Sequence, residues 1–145
     1  MDIKPLVPNS ENMSSLVDES TKAGLTSVSK LIAEYESGIN RFNFRGEFFV
    51  GVFCCNDLVG VGGLNIEPYE PESAAGRLRR FYVLEKWRRR GVGSALLKAI
   101  ESHASHYFPT IQLYTPSAAA AAFYEASGYE RRNRIKVSHA KTLVV

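Results

Sequence analysis

Cysteine is scarce in this sequence, and its two cysteines, Cys54 and Cys55, are adjacent to each other. Neighbouring residues are poorly placed to form a disulfide together, and no third cysteine can serve as a partner. Their spacing is also not that of a zinc site. The sequence therefore argues against a disulfide-stapled domain, and we predict reduced cysteines and no metal site.

Long hydrophobic runs are also missing. No segment approaches the roughly 20 consecutive apolar residues that a membrane-spanning helix requires. The first residues, Met1–Pro5, lack the apolar stretch typical of a secretion signal. We therefore expect a cytoplasmic protein with no membrane partner.

Charge of one sign is not in large excess, because 18 Lys and Arg against 15 Asp and Glu give a net charge of +3. Such a mild charge does not indicate a nucleic-acid partner. The basic residues are nevertheless concentrated in one short stretch, which contains Arg77, Arg79, Arg80, Lys86, Arg88, Arg89 and Arg90. A local concentration of this kind indicates an anionic partner of limited size.

The 145 residues, of which 45% are hydrophobic, suit one globular domain over residues 1–145. Apolar residues recur at helical spacing over 28–35, whereas 47–54 and 58–66 are rich in strand formers and predict a hairpin that turns at Asn56-Asp57. Further strands are expected at 2–7, 77–83, 110–114 and 137–145, and further helices begin near Asn9, Gly93 and Ser117. The order β-α-α-β-β-β-α-β-α-β predicts an α/β fold, in which helices cover a mixed sheet.

The strand expected at 77–83 has an irregular pattern. Its apolar residues are Leu78, Phe81 and Val83, and the first step is three residues rather than two. A regular strand would place Leu78 and Phe81 on opposite faces. A β-bulge near Arg79-Arg80 would restore the register.

Directly after this strand, the sequence Arg88-x-x-Gly91-x-Gly93 leads into an apolar helix. The first turn of a helix has unpaired N–H groups and a positive dipole end, so it binds phosphate readily. Glycine lets the backbone approach such a group closely. A dinucleotide-binding turn is disfavoured because Leu96 stands where a third glycine belongs. The pattern predicts a pyrophosphate site, and a solvated structural loop is the alternative.

The segment Leu78–Val83, together with this loop, resembles the acetyl-CoA-binding motif of the GNAT superfamily of N-acyltransferases. The segment Ala120–Tyr129 resembles a second block of that family, with Tyr129 where relatives have phenylalanine. The resemblance covers nearly the whole chain. It implies a mixed, mostly antiparallel sheet of six to seven strands flanked by about four helices.

The resemblance also implies the chemistry, which is transfer of an acetyl group from acetyl-CoA to a primary amine by direct attack in a ternary complex. Tyr124 would be the catalytic acid that protonates the departing thiolate. Backbone groups of the bulged strand would contact the pantetheine arm, and loop amides would hold the pyrophosphate. The cofactor-binding residues implied in this way are Phe81, Tyr82, Val83, Arg88, Arg89, Arg90, Gly91, Val92, Gly93, Ser94 and Ser117.

Two positions depart from the family pattern. Ser117 stands where many relatives have an asparagine that contacts the cofactor, and it could instead cap the following helix. Arg77 stands where many relatives have a glutamate, so the general base is unassigned. The acids of the preceding loop are expected to be solvated, and they are Glu67, Glu70 and Glu72. Glu34 and Glu36 are expected to border the acceptor site.

These departures keep an alternative open, namely a non-catalytic domain that binds or senses acyl-CoA. A small nucleic-acid-binding domain is a further alternative, but it leaves the glycines and Tyr124 unexplained. The identity of the amine stays open because acceptor pockets on this fold are built from variable loops. A homodimer is possible by analogy with the family.

Overall fold

A single mixed sheet organises the computed structural model, which describes residues 1–144. Within those residues the strands are β1 (Asp2–Pro5), β2 (Phe48–Cys54), β3 (Asp57–Ile66), β4 (Gly76–Val83), β5 (Thr110–Leu113), β6 (Glu130–Arg134) and β7 (Val137–Thr142). Their order in the sheet is β1-β2-β3-β4-β5-β7-β6. Every pairing is antiparallel except that of β4 with β5. The predicted mixed, mostly antiparallel sheet is confirmed.

The α-helices of the described chain are α1 (Ser14–Lys22), α2 (Ser27–Ser37), α3 (Val92–Ala104) and α4 (Ala118–Ala126). None of these helices has both the length and the apolar character needed to cross a bilayer. Helix α2 is capped at its C-terminus by Gly38, which has a φ of 85° and so adopts the left-handed conformation expected after a helix. The number of helices agrees with the prediction.

The two faces of the sheet are covered by different helices, and β3 shows how the faces alternate. A Cβ at Gly62 would meet Ile100 of α3 at 2.8 Å, whereas a Cβ at Gly63 would meet Phe42 on the opposite face at 2.5 Å. We call the side towards Ile100 the α3 face and the side towards Phe42 the α2 face. Glycine at both positions lets the helix on one side and the aromatic side chain on the other approach the strand closely.

The predicted β-bulge is present in β4. Gly63 pairs with Arg79 and Val61 pairs with Tyr82, so two steps along β3 correspond to three along β4. Arg80 is the non-glycine residue within this interval that has a positive φ, at 58°. The extra residue brings Phe81 onto the α3 face while Arg79 stays on the α2 face.

Strands β4 and β5 diverge soon after they meet, because they pair only at Gly76 with Ile111 and at Arg77 with Gln112. The Arg77 guanidinium donates to Glu67 Oε1 at 2.8 Å, and its other nitrogen donates to the Lys136 carbonyl at 2.7 Å. In the amide orientation that satisfies both of its polar atoms, Gln112 also donates to Glu67 at 2.9 Å. These contacts clamp β3, β4, β5 and the β6–β7 hairpin where the strands separate, and they leave a wedge between β4 and β5.

The clamp corrects the expectation that Glu67 lies in a solvated loop. Glu67 is only 1% exposed, and its partner Arg77 is 6% exposed. The backbone N–H of Tyr69 donates to the second carboxylate oxygen of Glu67 at 2.9 Å. Burial of this acid is tolerated because both of its oxygens are hydrogen-bonded and a cation neutralises it.

Several strand boundaries differ from the prediction. The hairpin turn lies at Cys55-Asn56, which have φ values of 54° and 68°, and not at Asn56-Asp57. Strand β1 ends at Pro5, and the final strand covers 137–142, while Val145 lies outside the described residues. Strand β6 was missed, because all five of its residues are exposed and polar and so carry no apolar alternation.

We predict that Glu67→Ala lowers the free energy of unfolding by about 3–5 kcal/mol, because it leaves Arg77 as an uncompensated buried charge. Chemical denaturation monitored by circular dichroism measures the change. Glu130→Ala is the matched control, since its partner Arg132 is exposed and such surface pairs contribute about 0–1 kcal/mol. Equal losses in the two variants would show that the clamp does not stabilise the fold.

Candidate active site

The loop between β4 and α3 ends in a helix start that is open to an anion. Arg89 and Gly91 both have a left-handed backbone, with φ values of 61° and 81°, and α3 begins at Val92. The first intrahelical bond across this turn runs from the N–H of Ala95 to the carbonyl of Gly91. The N–H groups at 92–94 precede it and so have no partner within the helix. A Cβ at Gly91 would meet nothing within 4 Å, which shows that the space above the loop is free.

The arginines of this loop differ in where their charge lies. The guanidinium of Arg88 points back to the sheet, where its Nε donates to the Val83 carbonyl at 2.8 Å and a terminal nitrogen lies 3.8 Å from Glu19. Arg90 is exposed and stacks over the ring of Trp87 at 5.3 Å. Arg88 therefore fixes the loop to β4 and α1, while Arg89 and Arg90 leave positive charge at its outer surface.

The predicted cofactor residues Phe81, Tyr82 and Val83 lie on β4 after the bulge. This part of β4 pairs with β3 but, within residues 1–144, not with β5, so its other edge faces the wedge. The hydroxyl of Tyr82 donates to Glu19 Oε1 at 2.7 Å on the α2 face. Burial together with this carboxylate raises the pKa of Tyr82 to about 12. Tyr82 is thus anchored to α1, and only its backbone is available to the wedge.

The structure brings Tyr124 next to the bulge. Its ring packs edge-on against Phe81 at 6.1 Å and against Phe123 at 5.2 Å, and the residue is 7% exposed. Its hydroxyl forms no hydrogen bond with any residue in 1–144, and burial raises the pKa of Tyr124. The hydroxyl is therefore kept protonated at neutral pH, and it has no competing partner in the described chain.

Ser117 is the N-cap of α4, and its Oγ accepts a hydrogen bond from the N–H of Ala120 at 3.2 Å. Its own N–H donates to Thr115 Oγ1 at 3.1 Å. Ser117 therefore caps α4, which is the alternative role that its sequence position suggested. The hydroxyl proton of Ser117 is still free to be donated towards a ligand, so the predicted cofactor contact remains a prediction.

Sequence reasoning missed the side chains that hold α4 in place. His139, which is 2% exposed, places Nε2 at 2.8 Å from Glu125 of α4 and Nδ1 at 2.9 Å from the Ser138 hydroxyl. Just beyond the same end of α4, the hydroxyl of Tyr129 donates to Glu101 of α3 at 2.8 Å. These contacts join residues far apart in sequence, and no local pattern marks them. They fix the position of the helix that carries Tyr124.

Glu34 lies on the α2 face of the bulge, and the expectation that it borders an acceptor site stays a prediction. Glu34 Oε1 accepts from Arg80 at 3.1 Å, and the Glu34 side chain is 28% exposed. An acid on α2 is therefore held beside the bulged strand, while the helix start and Tyr124 lie at its other side. Together these elements could hold an anion on the loop, a carbonyl at the bulge and a proton donor opposite it.

This geometry agrees with what the comparisons with known proteins found. Residues 45–131, more than half of the chain, match the family model of the acetyltransferase (GNAT) domain. A proposed acetyltransferase from Exiguobacterium sp. 255-15 superposes with a TM-score of 0.83 at 25% identity, over 98% of this chain and 94% of that one. A search of curated protein sequences found no match.

Two further structures share the fold at lower identity. PaiA N-acetyltransferase from Thermoplasma acidophilum, solved with coenzyme A, has a TM-score of 0.64 at 18% identity, over 98% of this chain and 99% of that one. Ribosomal-protein-alanine N-acetyltransferase from Brucella melitensis has a TM-score of 0.69 at 15% identity, over 99% of this chain and 100% of that one. On the strength of the matched family model and this shared architecture, the chain belongs to the GNAT family of acetyltransferases.

Proposed function

We propose that this protein transfers an acetyl group from acetyl-CoA to a primary amine by direct attack in a ternary complex. The observation that carries the proposal is the convergence of three elements on the wedge between β4 and β5. These are the open start of α3, the unpaired edge of the bulged strand and the Tyr124 hydroxyl. The family membership and the coenzyme A complex of a structural neighbour support acyl-CoA as the donor.

The donor would enter with its pyrophosphate on the N–H groups at 92–94, where the α3 dipole and the exposed Arg89 and Arg90 favour negative charge. Its pantetheine arm would lie along the free edge of β4 at Phe81–Val83, in place of the missing strand partner. Ser117 lies at the start of α4, on the other side of the wedge, where its hydroxyl could donate to the arm. The acetyl carbonyl then reaches the bulge.

At the bulge, the neutral amine nitrogen attacks the thioester carbon and a carbon–nitrogen bond forms. A backbone N–H freed from strand pairing stabilises the negative oxygen of the tetrahedral intermediate. When the carbon–sulfur bond breaks, its electron pair leaves on sulfur, and the Tyr124 hydroxyl donates a proton to it. The proton lost from the amine passes to solvent, from which Tyr124 is reprotonated. No carboxylate of β4 takes part, since Arg77 occupies the position where many relatives have a glutamate, and Arg77 is held in the clamp.

We predict that Gly91→Glu abolishes acetyl-CoA binding, because it places a carboxylate at the phosphate-binding helix start. Gly24→Glu is a matched control, since Gly24 also has a left-handed backbone, with a φ of 76°, and open space around its Cβ. Thermal melts and calorimetric titration with acetyl-CoA measure the effect. The parent and the control should be stabilised and the Gly91 variant should not. A parent protein that gains no stability at millimolar acetyl-CoA would contradict the proposal.

We predict that Tyr124→Phe lowers kcat about 100-fold while acetyl-CoA affinity is retained, because only the proton donor is lost. The fold should tolerate the change, since the hydroxyl has no hydrogen-bond partner in residues 1–144. Tyr129→Phe is the control, because it removes the hydroxyl of a neighbouring buried tyrosine that binds Glu101. Stopped assays of thiol release with an amine panel give kcat.

The raised pKa of Tyr124 sets the expected pH dependence. A general acid acts in its protonated form, so activity should not fall as the pH rises through 10, the ordinary value for tyrosine. Full turnover by Tyr124→Phe at neutral pH would rule out this residue as the acid. Tight acetyl-CoA binding without turnover on any amine would favour an acyl-CoA sensor instead.

A further inference from the structure

Three arginines lie on β4 around the bulge, and two of them are neutralised. Arg77 forms an ion pair with Glu67 at 2.8 Å, and Arg80 forms one with Glu34 at 3.1 Å. Arg79 lies between them in sequence and has no ion pair or hydrogen bond to any residue that the structure describes. The guanidinium of Arg79 is therefore left without a direct partner at the bulge.

The register of the sheet shows which way Arg79 projects. It pairs with Gly63, the residue whose Cβ would meet Phe42, so its side chain is on the α2 face. It directly precedes Arg80 at the bulge, and its side chain is partly exposed. The α2 face is opposite the α3 face, on which Phe81 and Tyr124 lie. Arg79 thus lies beside the proposed acyl position, on the side that an acceptor would approach.

Four carboxylates of the described chain around the bulge and the clamp are held by groups other than Arg79. The contacts are Glu67 with Arg77, Glu34 with Arg80, Glu70 with Arg134, and Glu47 with Asn65. The cation is also in an unfavourable place, since burial, and after it the charge of Arg80, lowers the pKa of Arg79. Arginine nevertheless stays protonated in proteins. A guanidinium in this position is therefore suited to bind an anion from outside the chain.

A second observation points the same way. Arg80 Nε is buried and has no hydrogen-bond acceptor within residues 1–144. Arg79 and Arg80 are adjacent on the bulged strand, and both have guanidinium N–H groups for which the described chain provides no hydrogen-bond acceptor. A carboxylate ligand brings two oxygens, each of which can accept from a guanidinium.

We propose that the acceptor is an amine that also carries an anionic group, such as an amino acid, and that Arg79 binds that group. The proposal rests on the acetyl transfer proposed above and assigns its substrate class. An acceptor held in this way is oriented with its nitrogen towards the thioester.

The experiment compares amines of one carbon skeleton that differ only in the charge of the far end. β-Alanine carries a carboxylate, β-alaninamide is neutral there, and 1,3-diaminopropane is cationic. Alanine with alaninamide gives the same comparison at a shorter spacing, and 2-aminoethylphosphonate replaces the carboxylate by a phosphonate. For the parent we expect kcat/KM at least tenfold higher for an acid than for its amide, and lowest for the diamine.

Arg79→Gln should reduce the acid-to-amide ratio to within about threefold of one, mainly through a higher KM for the acid. Arg79→Lys should keep part of the preference for the acid, because lysine retains the positive charge but lacks the forked N–H donors of the guanidinium. Arg132→Gln, which removes an exposed arginine on β6, is the control and should leave the ratio unchanged. Melting temperatures verify that each variant is folded.

Acetyl-CoA affinity is measured on the same proteins, so that the two proposals fail separately. Parent protein that binds acetyl-CoA but prefers the amides or the diamine, or an Arg79→Gln variant with an unaltered ratio, overturns the anionic acceptor alone. Thermal melts with each acid and amide provide a binding readout that needs no turnover. Stabilisation by acids that disappears in Arg79→Gln supports the proposal, and no stabilisation by any acid at millimolar concentration, together with no turnover, overturns it.

Discussion

The buried ion pair of Arg77 and Glu67 determines where the parallel strands separate. A charge pair of this kind is costly to bury unless its remaining polar atoms are satisfied. Here the Lys136 carbonyl and the Tyr69 N–H satisfy them, so the pair connects three segments of the chain at one point. Beyond that point β5 no longer covers β4, and the free strand edge becomes the wall of the site. The geometry of the wedge thus depends on an interaction that itself does no chemistry.

The bulge converts this opening into two chemically different sides. The extra residue at Arg80 turns Phe81 towards α3 and α4, where Tyr124 and the start of α3 lie. The charged side chains of Arg79 and Arg80 remain with α2 and Glu34. The acyl donor, with its anionic tail, would then lie on one side of the strand. A charged acceptor would approach the donor's carbonyl from the other side.

Local patterns in the sequence were sufficient to predict the elements that would bind the acyl donor. The three-residue step from Leu78 to Phe81 predicted the bulge, and the glycines of the loop predicted the start of α3. Patterns failed where burial depends on a distant partner. Glu67 resembles any loop acid until Arg77 is placed against it, and nothing around His139 indicates that Glu125 will contact it. The guanidinium of Arg79, which has no direct partner, was equally hidden, because this shows only once the contacts of the neighbouring side chains are known.

Strand β6 was hidden from sequence patterns because each of its residues is polar and exposed. It lies at the end of the sheet, where one row of backbone groups has no neighbouring strand within residues 1–144. Such a row can add a strand from another molecule and so begin aggregation. The five polar residues of β6, four of them charged, make that addition unfavourable, because a strand paired there would have to take charged side chains out of water. The composition that conceals this strand therefore also protects the protein from edge-to-edge association.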